Sequence, residues 1–137
     1  MTALLLTTIF LVAEPDQNAT PELLSEHPTI QQMHEEAVRR RGGRQIQLCE
    51  ECCRIAQRWA NHMASTRSFG HGGGEQIIAQ GYPTVSACFS GWIGSSGHRA
   101  WVLSNSTRCG WGFQRSSSGR CYWVGVFRKG EAAATAE

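Results

Sequence analysis

A chain of 137 residues with 41% hydrophobic content and five tryptophans has the material for one domain with a real core. Its formal charge of +2 is too small and too scattered for nucleic-acid binding, which needs a clustered basic stripe. The one dense basic run, Arg39-Arg40-Arg41, follows Glu35 and Glu36 at helical spacing. It reads as paired charge on a solvated helix face, not as a polybasic membrane patch.

The apolar stretch from Ala3 to Ala13 has the length of a secretory h-region and ends in a small residue before a polar segment. It lacks a basic n-region, and Leu11 stands where a clean cleavage site has a small residue. It is too short to span a bilayer as a helix. Six cysteines suit an oxidising compartment, so an export signal is the preferred reading, with a secreted or periplasmic destination. Residues 14–28 are polar, carry three prolines and read as a linker, which makes 1–28 a signal-like segment plus linker. The domain is expected over 29–128, and 129–137 reads as a frayed tail with nothing to bury.

Pro28 suits the first turn of a helix that stops at Gly42-Gly43, with Ile30, Met33, Ala37 and the stem of Arg41 as its apolar stripe. His34 sits beside Met33, and taken alone it is more often a satisfied core histidine than a ligand. A second helix is the clearest in the chain. Cys49, Cys52, Cys53, Ala56, Trp59, Ala60, Met63 and Ala64 share one face, while His62 belongs to the wet face. Glu50 and Glu51 in its first turn complement the helix dipole. Cys49-Glu50-Glu51-Cys52 has redox or zinc spacing. No second CxxC exists to complete a zinc ribbon, and a thioredoxin-type pair needs a strand before its helix, whereas these cysteines face a helix core. Structural burial or disulfide bonding is the reading that follows.

The stretch from Phe69 to Ala79, closed by Gly94-Ser95-Ser96-Gly97-His98-Arg99, places His71, Glu75 and His98 on glycine-rich turns where side chains can converge. Three successive glycines are kept where the backbone needs unusual dihedrals or close approach. Phe69, Ile77, Ile78, Trp92 and Leu103 are expected to anchor the flanks. Thr84 is a fitting N-cap for a helix through Val85, Cys88, Phe89 and Trp92, and a short helical segment follows from Ser95 to Leu103. Cys109 to Gln114 and Cys121 to Phe127 then read as a hairpin. The first of these strands alternates large residues with glycine, so something packs closely on its glycine face. Six cysteines allow about fifteen pairings, and the sequence does not choose among them.

Catalytic templates mostly fail. His71-Gly72-Gly73-Gly74 copies an esterase oxyanion string, but no G-x-S-x-G elbow accompanies it. Neither a phosphate-binding loop nor H-E-x-x-H is present.

His34, the run Ala56 to Ala64, Phe69-x-His71, Gly74-Glu75-Gln76-Ile77, Trp92, Ser96-Gly97-His98-Arg99 and the strand Tyr122 to Phe127 follow one another in an order that resembles the CAP or SCP domain of cysteine-rich secretory proteins, antigen 5 and plant pathogenesis-related proteins. The resemblance spans about Ile30 to Phe127 and implies an α+β fold: an α–β–α sandwich around a small antiparallel sheet. It also implies a cleft where His34, Glu75 and His98 meet, with His71 as a loop-fixing neighbour. In some members such a cleft holds zinc, here through His34 and His98. Departures are Gln76 for the family's Asn, Glu35 for another, Ser96 for Pro and Trp101 for Asn, with no second glutamate after Trp92.

Two functions follow. One is a monomeric, exported, non-catalytic module binding a lipid, sterol, peptide or protein, with an optional metal. The other is a metal-assisted hydrolase with Glu75 as base. Three zinc ligands are the norm for catalysis, so the first is preferred.

Overall fold

The computed structural model describes residues 22–130. The apolar stretch 3–13 and the tail 131–137 lie outside them. The elements are a 3-10 turn (Leu24–Glu26), α1 (Pro28–Arg40), β1 (Gln47–Leu48), α2 (Glu50–Thr66), β2 (Ile77–Gln80), α3 (Val85–Ile93), α4 (Ser96–Val102), β3 (Arg108–Arg115) and β4 (Cys121–Arg128). One sheet runs β1-β3-β4-β2. β3–β4 and β4–β2 are antiparallel, but β1 lies parallel to β3. The sheet is therefore mixed rather than wholly antiparallel. A two-residue strand carries no periodicity, and only its long-range partner reveals it.

Alternation along the strands sorts two cores. Tyr122, Val124 and Val126 of β4 join Ile78 on one face, against Ala56, Ala60 and Met63 of α2. Trp123 and Phe127, with Trp111 of β3 and Ile77 of β2, join Ile30, Met33, Phe89 and Trp92 of α1 and α3 on the other. Period-two side chains and helices on both faces make an α–β–α sandwich, and β4 is buried from Cys121 to Phe127.

The tightest contact in this sandwich is backbone on backbone. A Cβ added at Gly110 would collide with Cys52 and the Cys53 nitrogen, and one at Gly112 with the main chain of Ala56 and Gln57. Gln57 then reads the strand directly: its Nε2 donates to the Phe113 carbonyl at 2.6 Å and its Oε1 accepts from the Phe113 N–H at 3.1 Å. The glycine face expected from sequence is thus the seat of α2.

Local signals act as expected at several ends. Thr84 caps α3 by accepting from the Ala87 N–H, and Glu36 pairs with Arg39 and Arg40. Arg41 departs from the solvated run. It is buried, and its Nη1 donates to the Val102 and Ser104 carbonyls at 2.8 Å each, locking the end of α4 to α1. The Glu50 carboxylate accepts from the Leu24 and Ser25 N–H groups, 2.8 Å each, so the last part of the expected linker is tied to α2. All six cysteines are free thiols. Cys109 stands opposite Phe127 and Cys121 opposite Arg115, at far ends of the β3–β4 ladder, so the hairpin cannot join them.

Replacing Gly112 with Ala should destabilise the fold by about 2 kcal/mol or more, since an overpacked backbone contact cannot relax by a rotamer change. Gly97→Ala, in α4 with open space at its Cβ position, should be neutral or stabilising by up to about 1 kcal/mol. Urea unfolding of both variants checks the contrast.

Candidate functional site

The glycine-rich loop is positioned from below and behind. Trp59 of α2 donates its indole N–H to the Gly70 carbonyl at 3.0 Å, and Gly72 lies so close on that ring that no side chain fits there. Behind the loop, Arg128 Nη2 donates to the Gly74 carbonyl at 2.7 Å. Gln76 Oε1 accepts from the Phe127 N–H at 2.6 Å. Gly73 and Gly74 take φ of +105° and +99°, conformations open mainly to glycine.

This frame points Glu75 inward. Its side chain is fully buried, and Oε1 accepts from the Gly72 N–H (2.7 Å), the Gly73 N–H (3.4 Å) and His71 Nδ1 (3.1 Å). Oε2 is buried with no partner. His71 itself is largely exposed and can meet a ligand while fixing Glu75. His98, on the first turn of α4, is half-buried. Burial first, and then the charge of His71, hold its pKa below the ordinary histidine value. His98 also borders a pocket of about 230 Å³ lined by Phe69, Ile78, Ala79, Gln80, Tyr82, Gly91 and Trp92. Tyr82 lies on Gly91, and Trp92 donates its indole N–H to the Ile78 carbonyl at 3.1 Å, so the pocket floor is rigid.

Glu75 and His71 are thus in contact, and His98 is near enough to His71 to feel its charge. His34 makes different contacts. Its Nδ1 accepts from the Trp111 indole N–H at 3.2 Å, with Cys109 Sγ 3.6 Å away. With Nδ1 accepting, the neutral ring carries its proton on Nε2. Its Nδ1 thus makes the contact of a packed histidine. Burial above all, helped by Arg41, holds its pKa below 6.5.

Zinc sites use three or four protein ligands. Among the described residues, no three His, Cys, Asp or Glu side chains are placed to share an ion. This donor set does not fit a zinc centre built wholly from protein.

Phe69 and Leu103, expected as anchors, are 45% and 39% exposed, leaving Phe69 at the pocket rim. Tyr82, Trp59 and Arg128 shape the site and were missed as site residues. The Tyr82-Pro83 turn and the arginine closing β4 were the available signals.

The model of the cysteine-rich secretory protein family, CAP, matches residues 33–127, most of the chain. The chain belongs to the CAP family. No curated protein matches this CAP domain. An outer surface protein from Borrelia burgdorferi is similar in fold, with a TM-score of 0.64, 13% identity, and coverage of 74% of this chain and 92% of its own.

Two outcomes check this site. His34→Ala should cost about 1–3 kcal/mol by leaving the buried Trp111 N–H unpaired. His34→Gln, which can restore the acceptor, should recover part of that loss in thermal melts. For pH, His34 and His98 have folded pKa values below the unfolded value of 6.5, so the unfolded chain binds more protons as pH falls. Their contribution is full above pH 6.5 and is lost on acidification through the folded values. Melting temperature should drop between about pH 7 and pH 5, and the double variant His34→Gln/His98→Gln should flatten that drop.

Proposed function

We propose that the chain is an extracytoplasmic, non-catalytic binding module whose ligand engages His71, Glu75 and His98 and rests on Phe69 and Tyr82. The observations that carry this reading are the buried, unpartnered Oε2 of Glu75, whose other oxygen bonds His71, and the apolar pocket that His98 borders. A buried carboxylate oxygen without a donor is costly, and a ligand hydroxyl or amine supplies what is missing. A pocket of about 230 Å³ suits one end of a ligand, such as a sterol hydroxyl and its first ring, a lipid or a peptide side chain. The secretory family and the outer-surface relative support an extracytoplasmic setting. No described helix is long and apolar enough to cross a membrane.

The test is equilibrium binding of a panel of sterols, phospholipids and short peptides to the wild type and to Glu75→Gln, His98→Ala and Tyr82→Ala. Each variant should weaken the best ligand about tenfold, the loss of one good polar or apolar contact. Zinc titration and ester and peptide turnover, with and without chelator, run alongside. Chelator-sensitive turnover abolished by Glu75→Gln overturns the binding reading in favour of a hydrolase.

A further inference from the structure

The N-terminus of α2 gathers four thiols outside the His–Glu site. Cys49 is the N-cap residue and follows β1 directly, so the Cys49-Glu50-Glu51-Cys52 motif sits at a strand-to-helix junction after all. The sequence objection to a redox pair was the lack of that setting, and β1 removes it. The Cys49 backbone N–H donates to the Cys109 carbonyl at 2.8 Å, which fixes the cap residue to the sheet. Its Sγ accepts from the Cys52 N–H at 3.4 Å, the position a serine or aspartate cap oxygen normally fills.

We propose that Cys49 and Cys52 are a redox-active dithiol, in which Cys49 attacks a low-molecular-weight disulfide and Cys52 resolves the product into a reversible Cys49–Cys52 bridge. Exposure divides the roles. Cys49 is half-buried and reachable, whereas Cys52 is 2% exposed beneath it. Acidity divides them the same way. Burial works against the Cys49 thiolate, but the Cys52 N–H, the Cys52 thiol, the Glu51 N–H and Arg108 outweigh it, and its pKa falls below the ordinary thiol value. Burial and the neighbouring Cys49 push Cys52 up to about 12, and burial pushes Cys53 up to about 11. Burial also raises Cys109. One sulfur is thus activated among three that are held as thiols.

The chemistry balances with that one co-reactant. Cys49 S⁻ attacks one sulfur of R–S–S–R, the S–S bond breaks, and RS⁻ leaves as a mixed disulfide forms on Cys49. Cys52 loses its proton and attacks the Cys49 sulfur, the mixed disulfide breaks, and a second RS⁻ leaves. The two protein thiols are oxidised by two electrons, the reagent is reduced to two thiols, and the released protons go to them or to solvent.

Native protein is treated with dithiobis(nitrobenzoate), an aromatic disulfide whose released thiolate is coloured. The wild type should release two arylthiolates in its fast phase, and Cys52→Ser one, keeping the aryl adduct on Cys49. Cys49→Ser should lose the fast phase. Fragment mass spectra should place the wild-type bridge between Cys49 and Cys52, and dithiothreitol should remove it with unchanged circular dichroism. Because cysteine variants can misfold, wild-type protein is also labelled with limiting iodoacetamide. Cys49 should react on the order of tenfold faster than Cys52, Cys53 or Cys109. Equal labelling, a single released thiolate from the wild type, or a bridge mapped to other cysteines overturns the proposal.

Discussion

Everything in this molecule depends on how closely α2 lies on β3. Gly110 and Gly112 carry no side chains to hold the helix off the sheet, so main chain meets main chain at Cys53 and Ala56. That approach sets the height of the whole helix. Trp59, one turn further along, then reaches the glycine-rich loop and carries it at a fixed level. The same approach brings the first turn of α2 against the start of β3, where Cys49 bonds to the Cys109 carbonyl. Two distant sites, the Glu75 loop and the thiol cluster, are thus levelled by one contact. A loss of packing at Gly112 would disturb both, which is why stability and site geometry should be read together in any variant there.

Much of this was legible from residues. Helix ends followed Pro28, Thr84 and the Gly42-Gly43 stop, because capping and backbone constraints are local. The hairpin and its glycine face followed from period-two alternation. What escaped was non-local. β1 has two residues and exists only because β3 accepts it, so no window of sequence announces it. Missing β1 also hid the strand before Cys49, and with it the setting of the CxxC pair. Arg41 belonged to a charged run and, by its stem, to the apolar stripe, but its head-group partners, the carbonyls at the end of α4, are distant in sequence.

The cleft was legible in part for a chemical reason. Glycines, histidines and one acid on turns marked where a site lies, since such residues are poor core material. Which histidine faces it was a question of side-chain direction. His34 points from α1 to Trp111 on the sheet, whereas His71 bonds Glu75 from within the loop itself. Resemblance to the family gave the right fold.

The borders of the sheet carry a last consequence. One outer strand, β1, offers only two residues. The other, β2, spends the Ile78 carbonyl on the indole of Trp92. Open strands invite neighbouring copies to add on and grow into fibres. Here both margins are blunted, one by brevity and one by an aromatic cover, so copies at high concentration would resist zipping into their own kind.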